Sequence, residues 1–162
     1  MEVYLSLGSN LGDRERNLAQ AIEQLSERLK TPYKALSSFL ETEPWGFESN
    51  DKFINAVICY ELAECSEWTP LSFLALCKQI ERILGRKETE NHNEKGERVY
   101  SSRLIDIDIL FWGKERINLP ELTIPHKLMS NRDFVMIPLK EIASNQVISS
   151  FPEIFLPKSQ TK

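Results

Sequence analysis

Two stretches of helical period, set among stretches of period two, constrain this chain more than any other feature. Leu18, Ile22, Leu25 and Leu29 fall at i, i+4, i+7 and i+11, one apolar stripe from an acidic cap near Asp13 to a stop at Thr31-Pro32. Phe73, Leu76, Cys77, Ile80, Ile83 and Leu84 make a second stripe, opened by Thr69 with Pro70 at the first helical position and closed by Gly85. Around them the chain alternates. Val3, Leu5 and Leu7 against Tyr4 and Ser6 predict a first strand that stops at Gly8-Ser9-Asn10-Leu11-Gly12-Asp13. Lys34 to Thr42 and Phe53 to Leu62 read as the second and third strands, and the run from Arg103 to Trp112 carries the fourth. Strand, helix, strand, strand, helix, strand is a doubled split β-α-β unit. It predicts an α+β fold, a ferredoxin-like antiparallel sheet covered by helices.

The remaining segments are connections. Arg86 to Ser102 holds almost nothing apolar, and a loop of that length in a compact domain reads as a mobile lid, with a disordered excursion as the alternative. Ile117 to Leu119 can form a short returning strand, and Pro120, Pro125 and Pro138 punctuate an irregular segment. With no repeat, linker or low-complexity tract, residues 1–162 are expected to form a single domain, its tail beyond about residue 152 loosely held. A chain of this length removes roughly 70% of its unfolded surface from water, so no disulfide or metal staple is needed.

Composition narrows the function. Twenty Lys and Arg against 24 Asp and Glu give a net charge of −4, which offers no general attraction to nucleic acid or anionic membrane. Any polyanion site must be local. Three cysteines without a C-x-x-C pair (Cys59, Cys65, Cys77) disfavour both a disulfide framework and a zinc site, and read as reduced thiols with Cys59 and Cys77 in the core. Without a basic leader or a run of about 18 apolar residues, a soluble, cytoplasmic protein is expected.

The fourth strand carries the chemistry. Asp106 and Asp108 sit in an otherwise apolar, β-branched run where Asp is depleted unless something favours it. They share one face, roughly 6.6 Å apart along the backbone, while Ile105, Ile107 and Ile109 take the other. A strand with one wet face explains the pattern, and so does a divalent-cation site. Leu104 and Leu110 share the aspartates' face, which points to a partly enclosed cleft where paired like charges favour a cation such as Mg²⁺. Arg103 stands three residues before Asp106, Arg86 and Arg98 lie at or near the ends of the long loop, and His126 and Arg132 follow. Singly, each reads first as a solvated surface charge. Together, carboxylate-held Mg²⁺ and converging Arg and His donors are what phosphoryl transfer needs. The six glycines form neither G-x-x-x-x-G-K-[ST] nor G-x-G-x-x-G, so Walker and Rossmann cradles are excluded. Gly8-Ser9-Asn10 reads first as a structural turn.

Phe53 and Asn55 share a strand face, a ring beside a carboxamide, which suits the face and the mixed donor–acceptor edge of a flat heterocycle. A core Phe and an Asn satisfying local backbone explain the same residues. Trp45, Phe47, Tyr100 and Phe134 could add stacking surface.

These residues carry a resemblance. Gly8-Ser9-Asn10-Leu11-Gly12, Ser38-Phe39-x-x-Thr42 with Pro44 and Gly46, Phe53-x-Asn55-Ala56, Arg103-x-x-Asp106-x-Asp108-Ile109-Leu110, Pro125-His126, Asn131-Arg132-x-Phe134-Val135 and Pro138-Leu139 occur in that order. Over roughly residues 3 to 143 the chain resembles the hydroxymethyldihydropterin pyrophosphokinase family. The resemblance implies transfer of pyrophosphate from ATP to 6-hydroxymethyl-7,8-dihydropterin, releasing AMP, in folate biosynthesis. It implies Asp106 and Asp108 as ligands of two Mg²⁺ ions, with Arg86 and Arg103 as catalytic cations on the phosphates. It implies a pterin site of Thr42, Trp45, Phe53, Asn55, Tyr100 and Phe134. For ATP it implies Glu81, Arg86, Arg103, Ile109, Thr123, His126, Lys127 and Arg132. A monomer whose partners are these two small molecules is expected, with neither nucleic acid nor membrane, as the charge indicates. The chain departs from the family's common pattern at Glu43, at Val99-Tyr100-Ser101-Ser102 and at Lys127. A polymerase-type nucleotidyltransferase also uses an Asp-x-Asp strand and a Gly-Ser turn, but close together, whereas here they lie almost a hundred residues apart. A ferredoxin-like ligand sensor or RNA-binding module leaves the aspartates without a purpose.

Overall fold

The computed structural model describes residues 1–42, 52–85 and 104–156. The central strand β1 (Glu2–Ser9) is buried along its whole length because it pairs on both sides. Its neighbours, both antiparallel, are β4 (Phe53–Glu61) and β5 (Asp106–Trp112). Short strands β2 (Ala35–Leu36) and β3 (Leu40–Thr42) line the outer edge of β4, so the sheet runs β2-β4-β1-β5 with β3 also on β4. This is the ferredoxin-like order expected from the split β-α-β pattern.

Helices α1 (Arg14–Leu29) and α2 (Pro70–Ile83) cover one face. Asp13 caps α1 through the Arg16 amide, and Thr69 and Ser72 form a capping box on α2, with Pro70 in its first turn. Leu18, Ala21, Leu25, Phe73, Leu76, Cys77 and Ile80 pack there on Val3, Leu5, Leu7, Ile58, Ile105, Ile107 and Ile109. Ile83 departs from its expected place in this core: at the margin of the stripe it is 53% exposed, and Glu81 is buried instead. Gly85 ends α2 at φ +114°, where an added Cβ would meet Leu104 Cδ1 at 2.4 Å.

Three features depart from the period-two reading. The expected strand from Lys34 to Thr42 breaks in two, because Leu36 pairs with Ile58 while Leu40 pairs with Asn55, four residues against three. Ser37 bridges the bulge: its amide donates to the Val57 carbonyl at 2.9 Å and its hydroxyl accepts the Val57 amide at 2.9 Å. The segment expected to be irregular around Pro138 contains a helix, α3 (Asp133–Ile142), with Pro138 inside it. Proline argued for a break there, yet Val135, Met136 and Leu139 bury a face that outweighs one lost backbone hydrogen bond. Ile117–Asn118 (β6) pairs with Thr123–Ile124 (β7) in a separate hairpin, so the returning strand does not join the main sheet.

Helix α3 packs on β4 across the second sheet face, followed by α4 (Asn145–Ser150) and α5 (Pro152–Phe155). The tail expected to be loose past residue 152 thus begins with a packed turn. Phe155 stacks on Phe111 at 5.8 Å and Arg116 pairs with Glu153, while residues 157–162 lie outside the described ones.

Candidate active site

The second sheet face divides into two halves. Tyr4, Val57, Cys59, Leu110 and Phe111 lie beneath α3, α4 and α5. Ser6, Gly8, Asn55, Asp106 and Asp108 belong to the other half. Strand register lines them up: Gly8 pairs with Asn55 on one side and Asp106 on the other, and Ser6 pairs with Val57 and Asp108.

The backbone tells which pairs sit closest. Ile107 N–H donates to Glu81 Oε2 at 3.2 Å, away from β1, so Leu7 and Ile107 form a non-hydrogen-bonded pair and Asp106 and Asp108 turn their amides toward β1. Gly8 then faces Asn55 without mutual hydrogen bonds, the geometry that brings side chains nearest. A Cβ on Gly8 would meet Asn55 Oδ1 at 2.8 Å and Phe53 Cδ1 at 3.8 Å. Gly8 and Ser9 therefore belong to the strand rather than to the turn expected after it. What position 8 needs is the absence of a side chain, because the Asn55 carboxamide and the Phe53 ring occupy that space. The amide's other end is fixed as well: Asn55 Nδ2 donates to Thr42 Oγ1 at 3.0 Å. Ring and carboxamide share one face, as alternation predicts, and Asn55 is 4% exposed.

On the far side of Asp106 and Asp108 opens a cleft of about 590 Å³ along the outer edge of β5. That is within the range of small-molecule sites. Both aspartates line it, with Glu81, Ile109, Thr123, His126, Lys127 and Arg132, so every expected ATP-side residue within the described part meets here. Lys78 and Glu121 also line it and were not singled out from sequence. Lys78 stands at i−3 from Glu81 on α2, a spacing that could have flagged it. Glu81 is 3% exposed and holds the β5 edge through the amide between the two aspartates, a role that helical periodicity alone does not disclose.

His126 is tied to the same strand, its amide donating to the Leu110 carbonyl at 3.2 Å. Leu110 is the extra residue where the β1–β5 register shifts, which turns Leu110 and Phe111 both toward the covered half. Burial, then the Arg132 guanidinium, push the His126 pKa below the usual imidazole value against the pull of Asp106, so the ring is neutral at pH 7. Arg132 also lies over the Phe134 ring, 5.6 Å from its centroid. Arg86, Arg98, Arg103, Trp45, Phe47, Tyr100 and the expected lid from Arg86 to Ser102 lie outside the described residues.

A ferredoxin-like sheet whose acidic pair stands between an amide-and-ring pair and a cleft with several cations defines an α+β enzyme of the phosphate-transferring kind. The chain belongs to the 7,8-dihydro-6-hydroxymethylpterin-pyrophosphokinase (HPPK) family, whose profile matches residues 4–144. A Porphyromonas gingivalis protein named 2-amino-4-hydroxy-6-hydroxymethyldihydropteridine pyrophosphokinase is 46% identical over 142 residues, 87% of this chain and 90% of that one. The Aquifex aeolicus protein of the same name is 37% identical over 145 residues, 90% of this chain and 82% of the other. A crystal structure of an HPPK-DHPS in complex with substrates superposes with a TM-score of 0.60 at 15% identity. It covers 94% of this chain and 43% of that one, and supports the fold.

Proposed function

We propose that this chain transfers the β,γ-pyrophosphoryl group of ATP to the hydroxymethyl oxygen of 6-hydroxymethyl-7,8-dihydropterin, the family's reaction in folate biosynthesis. The observation that carries the reading is the line Asn55, Gly8, Asp106 across three adjacent strands. It sets the Asn55 carboxamide and Phe53 ring beside the acidic pair with only a glycine between, over two strand spacings of about 4.8 Å each. In this reading Asn55 reads the pterin edge, Thr42 orients the amide, and Phe53 and Phe134 flank the rings. Trp45 and Tyr100 complete the pocket by family resemblance.

ATP occupies the cleft on the other side of the aspartates. Arg132 and Lys127 meet its phosphates, His126 offers a hydrogen bond, Glu81, Ile109 and Thr123 form the wall, and Arg86 and Arg103 are assigned to the phosphates by resemblance. Among the described residues no group of three or more His, Cys, Asp or Glu could hold a metal. A pair of carboxylates alone suits Mg²⁺, which keeps water and takes substrate phosphates as further ligands, and we assign two such ions to Asp106 and Asp108. When bound, they neutralise triphosphate charge. The alcohol oxygen forms its bond to the β-phosphorus as the bond to the α,β-bridging oxygen breaks; AMP leaves and the alcohol proton is released. The chain's own contribution is to hold the two substrates in line across a low floor at Gly8. A cytoplasmic monomer is the form we assign; no helix among the described residues is long and apolar enough to cross a membrane.

The test is direct. With ATP, Mg²⁺ and hydroxymethyldihydropterin, AMP should appear in step with pterin diphosphate and stop on addition of EDTA. Appearance of ADP instead would overturn the assignment.

A further inference from the structure

Strand β3 has three residues and lies at a sheet edge, yet it carries Thr42, the partner of the Asn55 amide. A strand that short is weakly specified in register, and a slip of one residue would turn Thr42 to the opposite face. Two helices on opposite sides of the sheet hold it, one at the strand itself and one at the connection just before it. From α1, Arg14 Nη1 donates to the Lys52 carbonyl at 2.6 Å and Nη2 to Glu41 Oε2 at 3.2 Å, bridging the residue before β4 and the middle of β3. From α3, Glu141 Oε1 accepts the Ser38 amide at 2.9 Å and the Ser38 hydroxyl at 2.7 Å, next to the Ser37 bulge. Ser38's donors hold the Glu141 carboxyl below its usual range, so it is ionised at neutral pH.

We propose that Arg14 and Glu141 are positioning residues for the pterin side: they lock the register of β3 on β4 and so aim the Thr42–Asn55 pair. The inference rests on the reading of Asn55 as the pterin-edge residue. Among the described residues neither side chain lines the β5 cleft, so both act away from the residues assigned to ATP there.

Steady-state kinetics on the full chain test it, with each substrate varied against saturating amounts of the other. Arg14→Ala and Glu141→Ala should each raise the pterin KM about fivefold, the upper end of what a solvent-exposed charged contact contributes. The ATP KM should stay within about twofold and the melting temperature within a few degrees. Glu141→Gln, which keeps an acceptor for the Ser38 amide, should recover most of the loss, and Ser38→Ala gives a second variant at the same contact. A purely structural role would instead shift the melting temperature and both KM values together, and would overturn the proposal. So would an unchanged pterin KM in the Arg14→Ala/Glu141→Ala double variant while Asn55→Ala raises it. If Asn55→Ala leaves pterin binding unchanged, the underlying site reading fails and the inference with it.

Discussion

One face of the sheet serves two purposes, and its two halves differ in side chain and, on β5, by the bulge at Leu110. In the covered half Tyr4 meets Phe111 edge-on at 5.8 Å, Phe151 packs on Phe111 at 4.8 Å, and the residues are almost wholly buried under α3, α4 and α5. In the other half, on the same strands but before the Leu110 bulge switches the parity of β5, the residues are Ser6, Gly8, Asn55, Asp106 and Asp108. Strand alternation assigns the face; the residue type at each position decides whether a helix layer closes over it. A carboxylate pair under an apolar helix would have to surrender its hydration, so the helices stop short and a cleft remains. Stability and chemistry thus occupy adjoining halves of one surface.

The sharpest way to break this division is at the acids. Asp106→Ala or Asp108→Ala should lower turnover by about three orders of magnitude or more with the melting temperature nearly unchanged, as turnover assays and thermal denaturation would show. Turnover near wild type in either variant would remove the open half's claim to the chemistry. The converse substitution, Phe111→Ala, should cost about 3–5 kcal/mol of stability by urea denaturation while the activity of the molecules still folded persists. A matching loss of specific activity would mean the halves are coupled.

The smallest effect sharpens the border between them, where His126 is bound to the Leu110 carbonyl. Because the folded pKa is depressed, both states are neutral well above about pH 6.5. As the pH falls below that value the unfolded chain takes up a proton the fold resists, and stability declines until the folded imidazole also titrates. Arg132→Met removes one cause and leaves burial, so the His126 pKa should rise toward its ordinary value and the acid-side loss should shrink. Proton NMR can follow this cleanly in a chain with two histidines. An unmoved titration would assign the depression to burial and the Lys127 charge.

Local pattern disclosed much of this site, within limits that residues make plain. Asp106 with Asp108, and Phe53 with Asn55, could be placed on shared faces because parity is a property of the strand itself. Both long helices were legible from their stripes and from Asp13, Thr69 and Pro70. What escaped depended on contacts between distant segments: the Ser37 bulge is visible only against Val57, α3 overrides Pro138 only because β4 lies beneath it, and Gly8 reads as a turn until Asn55 is seen filling its side-chain space.

The sequence by itself determined periodicity, hence the order of elements, the ferredoxin-like sheet and which polar residues share a face, since these follow from backbone geometry repeated along neighbouring residues. Only the tertiary structure decided which half of that face is roofed, that the Glu81 carboxylate seals the β5 edge and that Lys78 and Glu121 join the cleft. Those outcomes turn on packing and hydrogen bonds between residues far apart in the chain, and no local period encodes a distance across the fold.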